Sequence, residues 1–173
     1  MRLPLDRLQT ERLILRRQSV ADAAVFHQLW TERDDRVPAH RRLDASGHPT
    51  VEDIAAHIRD LDLSRPGLLT VELRETEEPI GYCGVVWGGD EATDEPELAF
   101  ELLRAVHNRG YATEAALAVL DWARQAGYRR IHAGVWDWNV ASRRVLAKLG
   151  FRENGIVTKE SAYGRSLMTV REL

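Results

Sequence analysis

The sequence predicts an α+β fold, with about four helices laid on the faces of a mostly antiparallel, mixed sheet of about seven strands. Three features point to it. Apolar residues recur at helical spacing in two early segments and again after Gly110, whereas the runs from Leu68 to Leu103 are apolar over strand lengths. Glycine and proline stand where one kind of run gives way to the other. A chain of 173 residues, 44% apolar, can bury one core of its own and little more, so residues 1–173 are expected to form a single domain.

Taken in order, Arg12 to Arg17 (R-L-I-L-R-R) is a first strand, short, apolar and flanked by charge. Ser19 stands three residues before Asp22, the spacing of a capping box, and Val25, Phe26, Leu29 and Trp30 share one face of the helix that follows, to about Arg33. From Arg33 to Pro49 the chain has no periodicity and reads as a loop. Thr50 and Asp53 repeat the capping spacing, and Ile54, Ile58 and Leu61 carry a second helix towards Leu63. Strands follow at Leu68 to Glu75 and Ile80 to Trp87, turning at Glu77-Glu78-Pro79, and a fourth at Glu97 to Leu103. Ala116, Leu117, Leu120 and Ala123 line a helix from about Thr113 to Ala126. A fifth strand at Arg130 to Val135 leads to a helix from Val140 to Leu149, ended by Gly150 as a left-handed cap. Two closing strands, around Arg152 to Ser161 and Arg165 to Arg171, meet near Tyr163-Gly164.

Composition excludes several classes. Lysine and arginine total 24 against 27 acidic residues, a formal charge of -3, so nothing draws the chain to a phosphate backbone and no nucleic-acid partner is expected. One cysteine, Cys83, allows neither an internal disulfide nor a cysteine-rich zinc site. The six histidines, at 27, 40, 48, 57, 107 and 132, are dispersed without a paired acid, so no metal is expected. The opening M-R-L-P-L-D-R-L lacks the apolar centre of a secretion signal, and no stretch reaches the roughly 20 apolar residues that span a bilayer. A cytoplasmic protein without a membrane partner is the expectation.

The segment Arg104 to Ala115 (R-A-V-H-N-R-G-Y-A-T-E-A) carries the chemistry, because a strand there runs through a glycine into a helix. Such a turn leaves backbone N–H groups unpaired at the positive end of the helix dipole, where phosphate oxygens bind. Gly110 permits the unusual backbone angles and the close approach of a ligand. The same spacing also describes an ordinary strand-to-helix turn that binds nothing.

Four segments, T-E-R-L-I-L-R-R at Thr10 to Arg17, I-G-Y-C-G-V-V at Ile80 to Val86, R-G-Y-A-T-E-A at Arg109 to Ala115 and N-V-A-S-R-R-V-L-A-K-L-G-F at Asn139 to Phe151, give the chain a wider likeness. In order and spacing they resemble the Rim-type branch of the GNAT superfamily of acyl-CoA-dependent N-acyltransferases, a branch known for acetylating protein N-termini, those of ribosomal proteins included. The resemblance implies a GNAT-like domain whose fourth and fifth strands splay apart. It implies an acetyl-CoA-dependent N-acetyltransferase that moves an acetyl group to a primary amine, of a protein N-terminus or a small molecule, by direct transfer in a ternary complex. The alternative is a CoA-binding sensor or scaffold with little turnover. A monomer and a homodimer are both compatible with it.

The family's phosphate cradle, Q/R-x-x-G-x-G/A, falls here on His107, Gly110 and Ala112, with a departure at its first position. Capture by the amides of Asn108, Arg109, Gly110, Tyr111, Ala112 and Thr113 does not depend on that side chain, and Arg109 can add charge. Likeness to the family also assigns the backbone near Leu102 and Leu103 to the pantetheine arm, in the manner of an added strand. Asn139 matches a family asparagine that touches the same arm; a helix N-cap is the other reading and is compatible with it.

Acetyl transfer needs a neutral amine, and a peptide α-amine has a pKa of about 8, so near neutrality a base or a water relay must take a proton. Glu97 lies where Rim-type sequences carry a glutamate and is the candidate base, through water; Glu101, on the same strand face, is the reserve. Many superfamily members place a tyrosine after the asparagine to protonate the thiolate, but this chain has Leu146 there. Ser142, matching the Rim-type N-x-x-S, is the candidate donor to the thiolate, with local helix capping as its other role. Tyr163 is a weaker substitute, and Cys83 reads as a core thiol. Trp136 and Trp138, around Asp137, line an acceptor pocket or fill core.

Overall fold

The computed structural model describes residues 2–88 and 94–173. Its strands are β1 (Arg7–Gln9), β2 (Leu13–Arg17), β3 (Leu68–Leu73), β4 (Pro79–Val86), β5 (Glu97–Leu102), β6 (Arg130–Trp136), β7 (Arg152–Ser161) and β8 (Gly164–Glu172). The helices are α1 (Ala23–Glu32), α2 (Val51–Arg59), α3 (Tyr111–Gln125) and α4 (Val140–Lys148). One sheet contains all the strands in the order β1-β2-β3-β4-β5-β6-β8-β7, antiparallel throughout except where β5 runs parallel to β6. The α+β class holds. No helix among the described residues is long and apolar enough to cross a membrane.

Strand alternation fixes the layers. Leu13 and Leu15 on β2, Leu69 and Val71 on β3, and Cys83 and Val85 on β4 are all but fully buried at every second position, and they share a core with Ala116, Val119, Leu120 and Ala123 of α3. Phe26 and Leu29 of α1 and Ile54 and Ile58 of α2 form a separate core with Tyr82 and Leu103 on the opposite face. α4 ends in the expected glycine. Gly150 has φ of 83°, and the N–H groups of Gly150 and Phe151 return to the carbonyls of Ala147 and Leu146, both at 3.0 Å.

Three features differ from the sequence reading. An eighth strand, β1, pairs antiparallel with β2; its three residues present a single apolar side chain, too little for a periodic signal. α3 begins at Tyr111 rather than Thr113, since helical geometry starts directly after the left-handed Gly110. The chain also places its last strand, β8, inside the sheet and leaves β7 at the edge, an order that local pattern does not encode.

The anticipated capping residue Asp22 does more than cap. It accepts from the Ser19 N–H at 2.8 Å, as the spacing predicted, but it is only 1% exposed and also receives both terminal nitrogens of Arg16 at 2.9 Å and the Thr70 hydroxyl at 2.7 Å. Arg16 reaches on to Glu72 at 2.7 Å, so one guanidinium ties α1 to β2 and β3. Burial disfavours the charged carboxylate, yet Arg16, Ser19 and Thr70 together overcome it and hold the Asp22 pKa below its ordinary value.

Removing one partner of such a pair strands the other. Asp22→Asn should therefore cost about 3 kcal/mol, or roughly 6–12 °C in Tm for a chain of this size. Because the folded pKa lies below the unfolded value, the ionised form contributes stability above about pH 4 and loses it as pH falls through the folded pKa. Thermal melts across pH should thus show the gap between wild type and Asp22→Asn narrowing below about pH 4.

Candidate active site

Between β5 and β6 the sheet comes apart. Only one residue pair, Glu97 with His132, joins them, backed by the His132 N–H to the Pro96 carbonyl at 3.0 Å. At this closed end the His132 ring meets Glu95 at 2.5 Å and Arg130 meets it at 3.0 Å, the histidine contact being the main reason the Glu95 pKa lies below normal. Beyond it, the Glu97 side chain takes the place of a strand: its Oε1 accepts from the Gly134 N–H at 3.2 Å.

The β4–β5 ladder decides which backbone groups face the gap. Leu103 donates to the Ile80 carbonyl at 2.9 Å, so by period two the main chains of Glu97, Ala99 and Glu101 also face β4, and those of Leu98, Phe100 and Leu102 face β6. Leu103 therefore has no free N–H, contrary to the expectation from sequence. Phe100, which sequence reasoning missed, presents its N–H and C=O to the gap with no strand opposite. Leu102 also faces the gap, but its carbonyl is held by the His107 ring Nε2 at 2.7 Å.

The gap opens towards the start of α3. Asn108 and Gly110 are left-handed, with φ of 61° and 80°, the kind of turn in which successive N–H groups converge on an anion. The first helical bond runs from Glu114 N–H to the Gly110 carbonyl, and among the described residues no amide from Asn108 to Thr113 donates to the main chain. Those six amides face an exposed or half-buried rim at the positive end of a helix of 15 residues. Of the other cradle residues, Tyr111 lies under the Arg12 guanidinium at 4.4 Å, and Ala112 and Thr113 are half-buried in the first turn.

The Arg12 contacts were not legible as a site. Its Nη1 donates to the Arg109 carbonyl at 3.0 Å and its Nε to Glu114 at 2.8 Å, while the Thr10 hydroxyl and the Arg12 N–H occupy the second Glu114 oxygen at 2.5 and 3.0 Å. Sequence marked T-E-R and T-E-A only as family likeness. Pairing between a turn near residue 11 and a helix near residue 114 has no local signature.

The acid and base candidates separate by their partners. Glu97 is half-buried at the closed end of the gap, with one oxygen engaged by Gly134. Glu101 is fully committed: Arg33 grips both its oxygens at 3.0 and 2.9 Å and Tyr82 donates at 2.8 Å. Burial first, and then the Glu101 charge, push the Tyr82 pKa above its ordinary value. Asn139 caps α4 by accepting from the Ser142 N–H at 3.2 Å, and the Ser142 side chain is half-buried beside it. Leu146 is core, 3% exposed, whereas Tyr163 is 64% exposed on the β7–β8 turn. Burial pushes the Cys83 thiol up to about 12, which keeps it from acting as a nucleophile. Trp136 and Trp138 stack with centroids 6.4 Å apart, and Arg36 lies over Trp138 at 4.2 Å.

A family model for an acetyltransferase (GNAT) domain matches residues 12–152, which takes in the splayed strands, the amide turn and α4. The chain belongs to the GNAT acetyltransferase family. It is 30% identical over 165 residues to the uncharacterized N-acetyltransferase p20 of Bacillus licheniformis, covering 93% of this chain and 91% of that protein. A GNAT-family acetyltransferase from Bacillus anthracis shares the fold with a TM-score of 0.78 at 22% identity, covering 96% of this chain and 98% of its own. A ribosomal L7/L12 α-N-protein acetyltransferase, RimL, in complex with coenzyme A does so with a TM-score of 0.77 at 16% identity, covering 97% and 98%. This GNAT enzyme is accordingly an acetyltransferase of a family that uses acetyl-CoA, and among its described residues no group of three or more His, Cys, Asp or Glu side chains is placed to hold a metal ion.

A side chain at Gly110 would find space, its Cβ meeting only Arg12 Nη2 at 3.4 Å, so the cost there is backbone strain of about 1–2 kcal/mol. CoA at a hundredfold excess over Kd should stabilise the wild type by about 2.7 kcal/mol. Gly110→Val should fold with a slightly lower Tm and lose most of that CoA-dependent shift, read by thermal melts with and without CoA.

Proposed function

We propose that this GNAT enzyme acetylates a primary amine, of a protein N-terminus or a small molecule, by direct transfer with acetyl-CoA and acceptor bound together. The observation that supports it most is the parting of β5 from β6 beyond Glu97, which leaves the Phe100 main chain facing the gap, on the strand that leads to the open amides of Asn108 to Thr113. An extended amide-bearing chain ending in a pyrophosphate matches that sequence of groups. The fold neighbour that carries coenzyme A is an α-N-protein acetyltransferase, which favours an α-amine among the acceptors.

Bound acetyl-CoA supplies a thioester, whose carbonyl carbon accepts a nucleophile and whose thiolate departs. The acceptor ammonium must first lose a proton, and Glu97 is the carboxylate at the closed end of the gap with an oxygen not held by Gly134. Through a water, that oxygen takes the first proton; the amine nitrogen then bonds to the carbonyl carbon as the carbon–sulfur bond breaks, and the second proton shed by the nitrogen passes through water to the thiolate, which leaves as the free thiol of CoA. The Ser142 hydroxyl donates a hydrogen bond to the departing thiolate, where many superfamily members have a tyrosine. Glu101 serves structure instead, since Arg33 holds both its oxygens and Tyr82 donates to one of them.

Glu97→Gln should lower kcat by about a hundredfold or more near neutral pH, with recovery as pH rises past the amine pKa of about 8. Ser142→Ala should lower kcat without that recovery and with CoA affinity kept, because its donor acts after deprotonation. Steady-state rates across pH check both, and losses of only a few fold would reduce either residue to a structural role.

A further inference from the structure

Glu114 sits where a carboxylate should do harm. It lies one turn into α3, beside the amides offered to phosphate, and a free negative charge there would repel the ligand. Its oxygens are instead turned away from the helix axis and filled by Thr10, the Arg12 N–H and the Arg12 Nε. Burial works against the ionised form, but these partners outweigh it and hold the Glu114 pKa below its normal value. The same guanidinium extends to the Arg109 carbonyl at 3.0 Å and covers the Tyr111 ring at 4.4 Å.

One side chain thus touches the residue before Gly110, the residue after it and the carboxylate one turn on. We propose that Arg12 is a positioning residue for cofactor binding, which through the Arg12–Glu114 pair and its bond to Arg109 holds the loop from Arg109 to Tyr111 with its amides aimed at the phosphates. The inference rests on the acetyl-CoA reading above. The loop needs such a brace because Asn108 and Gly110 hold left-handed conformations and none of its amides is tied to the main chain. A planar fork is required for it: Arg12 bonds a carboxylate with one nitrogen and a carbonyl with another while lying flat on an aromatic ring, which the single ammonium of lysine cannot do.

Arg74 provides the internal control. Its Nη1 donates to the carbonyls of Thr10 and Glu11 at 2.9 and 3.0 Å, so it braces the same β1–β2 turn, and among the described residues it has no hydrogen bond to the Arg109–Tyr111 loop. CoA titrated calorimetrically into wild type, Arg12→Lys, Arg12→Gln and Arg74→Gln, with Tm measured for each, tests the proposal. Both Arg12 variants should weaken CoA binding about tenfold or more, while Arg74→Gln stays within about threefold of wild type even if its Tm falls as far. Full affinity in Arg12→Lys would show that charge alone matters and would overturn the positioning role, as would equal losses in Arg74→Gln and Arg12→Gln. Wild type that takes up no CoA would instead overturn the functional reading on which the brace depends.

Discussion

A sheet normally pairs every interior main-chain group, and the fold here is organised around one place where it does not. β5 and β6 stand in the middle of the sheet, yet after Glu97 and His132 they share no further pair. Buried backbone amides and carbonyls without partners are costly, so a gap of this kind is stable only if water or a ligand satisfies it. The closed end is pinned by Pro96, by the contacts of Glu95 with His132 and Arg130, and by the Glu97 carboxylate on Gly134. The Pro96 bond is the last of the ladder here, the Glu97 carboxylate substitutes for the next one, and together with the Glu95 contacts they set where the strands begin to part.

Both helical layers are arranged around that opening. On one face α3 packs six buried residues against the sheet at β4, β5 and β2, and its N-terminus follows the end of β5 at the open end of the gap. On the other, Arg33 at the end of α1 is 10% exposed, stacks on Trp30 at 4.1 Å and grips Glu101 of β5. Arg36 then reaches from the following loop to Trp138, beyond the end of β6. The α1–α2 loop therefore bridges from one splayed strand to the far side of the other, and its contacts are cation–π and ion-pair contacts of modest strength.

Most of the framework was legible because it is written in local pattern. Period-two burial on β2 to β4, the Thr50–Asp53 cap, Gly150 and the left-handed Gly110 all follow from residue type and spacing. The family likeness of R-G-Y-A-T-E-A drew attention to the amide turn. What stayed hidden depends on register or on distant pairing. Period two alone does not say whether Leu102 or Leu103 faces the gap, and only the Leu103 to Ile80 bond settles that Phe100 and Leu102 do. Asp22 reads as a cap until Arg16 and Thr70 surround it, and Glu101 reads as a spare base until Arg33 and Tyr82 claim it. Of the acidic run Asp90 to Glu95, residues 90–93 lie outside the described residues, Asp94 pairs with Arg2, and Glu95 is spent on Arg130 and His132.

If the gap and the amide turn together hold the cofactor, their unpaired N–H groups should change state when it binds. Residue-resolved amide hydrogen exchange with and without CoA reads this directly. Phe100 and the amides from Asn108 to Thr113 should exchange rapidly in the free protein and slow together on adding CoA, while Leu103, already bonded to Ile80, should not respond. Protection that appears elsewhere, or that spares Phe100 and the amide turn while CoA is bound, would contradict the account.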